Sequence, residues 1–316
     1  MAISGTNTFT LTKNEVIEMA FARLGVISEG ATITSYQVDR GSQLLNTMIK
    51  SWLAKGFRLW KQERATLFLE ASTNEYILGT ANATTSYVNP TLSADASSGA
   101  TSISVSSATG LVIGYNIGIV QDNNTILWTT ITNIVSTTIT LNNALTSDAS
   151  SGNNVFVYQT KLDRIENIIN AQLKMNPTTE IPLQLNSRDT YDALPVKTLT
   201  GIPNKLYFNK QLSQNIIRLF PSPSSVNYFV NFTYQKQFYD MTNPTDNFDF
   251  PVEWLRALYL NLATTLYGFY PISDATQIQL LAAEAQNALM EVMSFDDENT
   301  SIYFEPATDT NRGGYA

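Results

Sequence analysis

The run Asp246-Asn-Phe-Asp-Phe-Pro-Val-Glu-Trp-Leu-Arg-Ala-Leu-Tyr-Leu-Asn-Leu-Ala-Thr-Thr-Leu266 carries its own instructions for a helix. Asp249 stands at the N-cap position, Pro251 falls in the first turn where a missing N–H costs nothing, and Glu253 puts negative charge near the positive helix end. Trp254, Ala257, Leu258, Asn261, Leu262 and Leu266 then recur at helical spacing, so one face is strongly apolar. Gly268 and Pro271 stop the helix. A second one begins near Ser273 or Asp274 and carries Ile278, Leu281, Ala282, Ala285, Leu289 and Val292. Such a hairpin needs a partner to cover its stripe.

That partner lies at the other end of the chain. Thr12 and Glu15 form a capping-box pattern, and Val16, Ile17, Ala20, Phe21 and Leu24 trace one face before Gly25 ends the helix. Thr34 and Gln37 repeat the pattern ahead of Val38, Leu45, Met48, Ile49, Trp52 and Leu53, with a stop at Gly56. Trp52 and Trp254 read as core aromatics, because a large ring at helical spacing usually buries its area inside.

From Phe57 the period shortens. Phe57, Leu59, Thr66, Phe68, Tyr76, Ile77 and Leu78 sit in short runs between polar turns, as strands do. Asp95-Ala-Ser-Ser-Gly99 recurs as Asp148-Ala-Ser-Ser-Gly152, and the copies bracket four short strand patterns: Ile103 to Val105, Ile117 to Val120, Ile126 to Ile131 and Thr138 to Leu141. Between Val88 and Thr160 the only charged residues are Asp95, Asp122 and Asp148, which marks a nearly uncharged β domain inserted in a loop. It reads as a spacer or decoration, or else as a carbohydrate- or partner-binding unit, since Tyr115, Trp128 and Tyr158 suit either stacking on a sugar or filling a small barrel. After it, Ile165, Ile169, Ala171 and Leu173 alternate as a strand, although Leu162, Ile165, Ile169 and Leu173 also fit a helix. Ile181 to Leu185, Asn204 to Asn209, Ile216 to Phe220 and Val226 to Tyr239 follow, and Tyr228, Val230, Phe232 and Tyr234 alternate cleanly. These predict an antiparallel sheet with one buried face.

Composition removes several function classes. The chain has 316 residues, 43% of them hydrophobic and only 15% charged, with a net charge of -8. It has no electrostatic footprint for wrapping nucleic-acid phosphates. The absence of both Cys and His removes disulfides, thiolate or imidazole metal sites and any triad with a histidine base. The N-terminal residues lack a basic and an apolar signal region, and no run reaches the roughly 18 apolar residues that span a bilayer. Synthesis in the cytoplasm and no membrane partner are therefore expected.

Taken in order, the helix ending Leu24-Gly25, the second ending Trp52-Leu-Ala-Lys-Gly56, and much later Asp249-Phe-Pro-Val-Glu-Trp254 and Asn261-Leu-Ala263 resemble the head-to-tail adaptor proteins of short-tailed bacteriophages. Ser187-Arg-Asp-Thr-Tyr191, Leu194-Pro-Val-Lys197, Gly201-Ile-Pro203 and Leu219-Phe-Pro-Ser-Pro223 are similar to the longer members of that family. The likeness covers most of the chain outside Val88 to Thr160. Together with the patterns above it gives an α+β fold: a four-helix bundle over residues 1–56 and 246–294, an antiparallel β domain over 57–87 and 161–245, an inserted β-barrel or sandwich over 88–160 that departs from the shortest family members, and an extended tail over 295–316. Phe21, Leu24, Trp52, Trp254, Leu258, Leu262 and Leu281 would form the bundle core. Phe295, Ile302, Tyr303 and Phe304 would anchor the tail on the portal, ordering as it binds.

The function implied is structural. The chain would form a homo-oligomeric ring of about twelve copies on the portal, extend the DNA channel, retain packaged DNA and dock a tail nozzle or hub protein. It would reside in the neck or tail of the virion. Double-stranded DNA would pass without sequence-specific binding, since a conduit lined with negative charge repels phosphates. The inserted domain would reach tail fibres, and its excision would leave assembly intact. No catalytic, cofactor-binding or metal site is expected. One rival is a receptor- or glycan-binding virion module, supported by the insert with Trp128. Another is a histidine-free glycosidase using Asp163 with Glu166, or Asp246 with Asp249. Those carboxylates are better explained by a strand border and a helix N-cap, and no Walker or dinucleotide loop is present. Asp122 or Asp148 alone would hold a hard cation weakly.

Overall fold

A computed structural model describes residues 9–28, 31–54, 61–175, 179–237, 240–247, 250–271 and 275–295. The chain divides into two compact units, Met1–Trp60 with Phe238–Ala316, and Lys61–Gln237.

The first unit holds α1 (Lys13–Leu24), α2 (Ser35–Ala54), α4 (Trp254–Leu266) and α5 (Ala275–Phe295). Thr12 and Glu15 close a reciprocal capping box on α1, and Gly25 ends it with φ at 77°. Thr34 and Gln37 cap α2 in the same way, the Thr34 N–H donating to Gln37 Oε1 at 2.8 Å and the Gln37 N–H to Thr34 Oγ1 at 3.3 Å. Helices α1, α2 and α5 each pack against α4. Accordingly α4 is buried on nearly every side, through Leu255, Leu260 and Ala263 as well as Trp254, Ala257, Leu258, Leu262 and Leu266. A helix that is apolar all round is a core element. Asn261 survives in it because its Nδ2 donates to the carbonyls of Ala257 at 2.8 Å and Ala285 at 3.0 Å, tying α4 to α5. Gly41 sets the approach of α2 to α1: a Cβ there would lie 2.6 Å from Ile17 Cγ2. The segment leading to α4 is tied back to α1, where the Lys13 N–H donates to the Asp246 carbonyl at 3.0 Å and the buried Lys13 Nζ to the Thr242 carbonyl at 3.2 Å.

Helix α4 starts later than its sequence signals suggest. Glu253 is its N-cap residue but makes no side-chain cap, and Pro251 lies in the preceding turn, accepting from the Trp254 N–H at 3.0 Å. Asp249, Ser273 and Asp274, read as helix starts, lie outside the described residues, as do Gly56, Phe57 and Leu59.

The second unit is built of strands. Its host part comprises β1 (Gln62–Phe68), β2 (Glu75–Ile77), β3 (Ala83–Thr84), β9 (Asn167–Lys174), β10 (Glu180–Pro182) and β11 (Gln184–Asn186). The short α3 (Arg188–Asp192) is followed by β12 (Thr200–Gly201), β13 (Lys205–Lys210), β14 (Asn215–Phe220), β15 (Ser222–Pro223) and β16 (Phe229–Gln235). The insert contributes β4 (Ser102–Ser104), β5 (Asn116–Val120), β6 (Ile126–Val135), β7 (Thr138–Leu141) and β8 (Val155–Tyr158). The sheets run β10-β9-β16-β1-β3, β11-β13-β14-β2, β12-β15 and β4-β7-β6-β5-β8. Of the residues read ambiguously after Thr160, Ile169, Ala171 and Leu173 lie in the strand β9, while Leu162 and Ile165 precede it. A register shift at Thr233/Tyr234 places Ile168, not Ile169, beside Ala171 and Leu173 in the core.

The expected fold class is thereby corrected. The described residues form sixteen strands in four sheets against five helices, and 26% of those described residues are helical, so the protein is mostly β-sheet and not a helical bundle with smaller β domains. The β sheets are also not purely antiparallel, since β11 pairs with β13 and β12 with β15 in parallel. The physical cause is strand length. Two- and three-residue strands such as β3, β10 and β12 are too short to leave a period in the sequence. Helix α4, for its part, is a hub that three helices share.

The insert closes on itself. Segment 88–92 bridges both outer strands, Val88 pairing with Val157 and Thr91 with Asn154 on one side, and Leu92 with Val105 on the other. That sheet has no free edge. Its two sequence repeats meet face to face: the Ala96 and Ala149 N–H groups each donate to the other's carbonyl at 2.9 Å. The Ser98 N–H donates to Asp148 Oδ1 at 2.8 Å, and the Ser151 N–H to Asp95 Oδ1 at 2.7 Å. Each aspartate thus caps the turn of the other copy. The likeness extends upstream, for the Gly99 N–H donates to the Leu145 carbonyl and the Gly152 N–H to the Leu92 carbonyl, both at 2.8 Å.

Candidate functional site

Phe21, Leu24, Trp52, Trp254, Leu258, Leu262 and Leu281 all fall in the core of the helical unit. Trp52 and Trp254 meet with ring centroids 5.9 Å apart, and Tyr270 closes edge-on against Phe21 at 5.1 Å. Phe295 is the last residue of α5, while Ile302, Tyr303 and Phe304 lie outside the described residues. On α5, Leu281, Ala285, Ala288 and Val292 face α4, whereas Leu280 is 60% exposed and Met290 51% exposed. Along its 21 residues the only charged side chains are Glu284 and Glu291, which pair with Arg23 at 2.6 Å and Arg256 at 3.7 Å. The outer face of α5 therefore carries little charge and mixes Leu280, Ala282, Ala283 and Met290 with Gln279, Gln286 and Asn287.

The insert's aromatic residues divide between two tasks. Along β8 every side chain is buried, Val155 and Val157 inside the closed sheet and Phe156 and Tyr158 on its outside. Those outer rings join Phe68 of β1 and Phe229 of β16 in one cluster with Tyr87 and Trp128. Phe68 stands 4.8 Å from Phe156, 5.3 Å from Trp128 and 5.2 Å from Tyr87, centroid to centroid. Trp128 lies across Gly118, where a Cβ would come within 2.4 Å of its ring. Trp128 and Tyr158, two of the three sugar-stacking candidates, are thus structural cement between insert and host. The Tyr158 hydroxyl donates to Asn82 Oδ1 at 2.7 Å, and burial pushes it above the usual phenol range. Tyr115 is half-buried and opens onto a cleft of about 270 Å³ together with Tyr87, Thr85 and Gln159.

Of the carboxylates considered for catalysis, Asp246 is engaged in a turn. Asp246 accepts from the N–H groups of Thr242 at 2.9 Å and Asn243 at 2.7 Å and from Asn243 Nδ2 at 3.1 Å. The Asn243 hydrogen bonds hold it below the usual carboxylate range. A carboxylate so stabilised is a turn staple and a poor proton donor. Its proposed partner Asp249 lies outside the described residues. Asp163 and Glu166 lie in the segment entering β9, where the Glu166 N–H donates to the Gln235 carbonyl at 2.8 Å. Asp122 accepts from the Ser150 N–H, the Ser150 hydroxyl and Asn153 Nδ2, and these bonds lower its pKa. Among the described residues no group of three or more acidic, His or Cys side chains could hold a metal ion. Nor is any described helix long and apolar enough to cross a membrane.

One ionisable cluster escaped the sequence reading. Lys61 is buried at the entry of β1, and burial, reinforced by the nearby Lys236 charge, pushes its amine down to about 8. Beside it Glu63 accepts from the Tyr234 hydroxyl at 2.8 Å and from Lys236 Nζ at 3.1 Å. Burial raises the Glu63 carboxyl, but these hydrogen bonds and the two lysine charges outweigh it, leaving a net lowering. Only the pairing of β1 with β16 brings residues so distant in sequence together. No protein-family model matches this chain, and none of the curated proteins matches it either.

Proposed function

We propose that the protein is a structural component of a phage neck, an adaptor that assembles as a ring on the portal, extends the DNA channel and docks the tail. The observation that carries this reading is the outer face of α5. A 21-residue helix with two charged side chains, both paired, and with Leu280 and Met290 exposed suits lateral packing against a neighbouring copy. The order of the helical motifs at the two chain ends supports the same reading through their likeness to such adaptors, and a net charge of -8 suits a conduit past which DNA slides. The function needs no catalytic group. Mixing the purified chain with the portal protein encoded beside it, and imaging down the axis by electron microscopy, tests it. A ring capping the portal is expected, and L280K combined with M290K should abolish the ring. A chain that remains monomeric and ignores the portal overturns the reading.

A further inference from the structure

The cleft at the root of the insert has the chemistry of a small-molecule site. It forms where the chain leaves the host after β3 and returns from β8, with the loop around Gly110 and Tyr115 as its third wall. Its floor is fixed by the paired backbones of Val88 and Val157, which exchange hydrogen bonds of 2.8 and 2.9 Å. Its walls are held as well. The Thr84 hydroxyl donates to the Ser86 carbonyl at 3.1 Å, Asn116 Nδ2 donates to the Gln159 carbonyl at 3.1 Å, and Tyr87 leans edge-on against Phe68. A cleft built this way is formed before any ligand arrives, which lowers the cost of binding.

No lining residue carries a formal charge at neutral pH. The lining combines tyrosines with hydroxyl and amide groups, and among the described residues the side chains of Thr85, Tyr87, Tyr115, Gln159 and Thr160 make no hydrogen bond within the chain. An ionic ligand would shed its hydration with no counter-charge in return. A nucleic acid would find no cation for its phosphates. An extended peptide would find no free strand edge to join, because Val88 and Val157 already satisfy each other. What remains is a neutral ring that offers an apolar face to tyrosine and hydroxyls to donors and acceptors.

We infer that this cleft binds an uncharged saccharide, with Tyr87 and Tyr115 stacking on the sugar and Gln159 and Thr85 reading its hydroxyls. At about 270 Å³ it is slightly smaller than the roughly 300–1,000 Å³ of drug-sized ligand sites and accommodates about one sugar ring. A second cleft of about 310 Å³, lined by Asn89, Asn154 and Asn227 with Lys174, shares Tyr87. The site is independent of ring assembly: it lies wholly within residues 61–237 and is assayed on the isolated chain.

Saturation-transfer NMR on the full chain with lactose, maltose, cellobiose and chitobiose tests the inference, with glucuronate, a short peptide and a short oligonucleotide as competing classes. At least one neutral sugar is expected to bind at low-millimolar concentration. Two substitutions at exposed positions, T85W to fill the cleft and Q159A to remove its amide, should each weaken that binding about tenfold. Circular dichroism checks that both variants stay folded. Failure of all four sugars to bind, or binding unchanged in folded T85W, overturns the inference. So does preferential binding of the charged or peptide probes.

Discussion

The two units bury their side chains by different rules. In the helical unit one face of each of α1, α2 and α5 turns inward onto α4, and a single cluster collects residues from both ends of the chain. In the β unit one strand feeds two clusters at once. Val155 and Val157 fill the closed sheet of the insert while Phe156 and Tyr158, between and beside them, bind it to the host. The host strand β1 does the same, with Leu67 in the host core and Phe68 in the shared cluster. An inserted domain with both strand faces covered is a load-bearing part of its host. A helix that exposes Leu280 and Met290 among uncharged polar residues is better placed to meet another molecule.

Excision of residues 88–160 tests that contrast most severely. Read from the sequence, the excision leaves assembly on the portal intact. With Phe68 and Phe229 stripped of their cover, the 61–237 unit is now expected to lose its cooperative calorimetric transition, while the helical unit keeps its own. Adding F68T and F229T to the excised chain should recover part of the transition. An unchanged melting profile in the bare excision would sink the idea of a shared aromatic core.

Next in size are single truncations. W254A and F156A each remove a buried aromatic and should cost about 3–5 kcal/mol. Each is expected to lower only the transition of its own unit, and simultaneous loss of both transitions in either variant would show that the units fold as one. G118A forces a Cβ to within 2.4 Å of Trp128 and should cost about 1–3 kcal/mol through overpacking. A double-mutant cycle with W128L measures that coupling, and an additive result would place the strain elsewhere.

The smallest effects are pH dependences. Lys61 titrates near 8 when folded against roughly 10.4 unfolded, so the unfolded chain holds more protons in that interval. Stability of the β unit should therefore rise as pH climbs from 8 toward 10, and the rise should vanish in K61M. Above a pH of about 10 the slope turns over, because burial raises the hydroxyls of Tyr76 and Tyr158 and their stabilisation is lost as pH passes the unfolded value. At the acid end, Asp122 has a lowered folded pKa from its bonds to Ser150 and Asn153. Its contribution is present above the unfolded carboxylate value and fades as pH falls below roughly 4. Thermal melting of D122N should show a shallower acid limb than the parent chain.

Much of the helical unit was legible because its signals are local. A capping box needs residues three apart, and both Thr12 with Glu15 and Thr34 with Gln37 form one in the structure. The all-round burial of α4 was hidden, since periodicity marks a preferred face but cannot tell how many helices surround it. In the insert, four of five strands were readable from alternation, but β8 was not recognised as the fifth. Val-Phe-Val-Tyr has no polar partner positions, because both of its faces are covered. The saccharide cleft was illegible except for Tyr115. Tyr87 and Gln159 are distant in sequence and lie in no motif, and only chain exit and return at one place sets them together.

Sequence alone determined where helices begin and end at Thr12, Gly25 and Thr34, which rings are large enough to anchor a core, and that the region 88–160 is nearly uncharged. Those properties depend on neighbours within a turn or on composition. Tertiary structure decided that the Asp95 and Asp148 turns cap one another and that Phe68 belongs to the insert as much as to its host. It also decided that Lys61 is buried beside Lys236. Each of these depends on a pairing across tens to hundreds of residues, and the free energy of such a contact exists only once the chain between has closed.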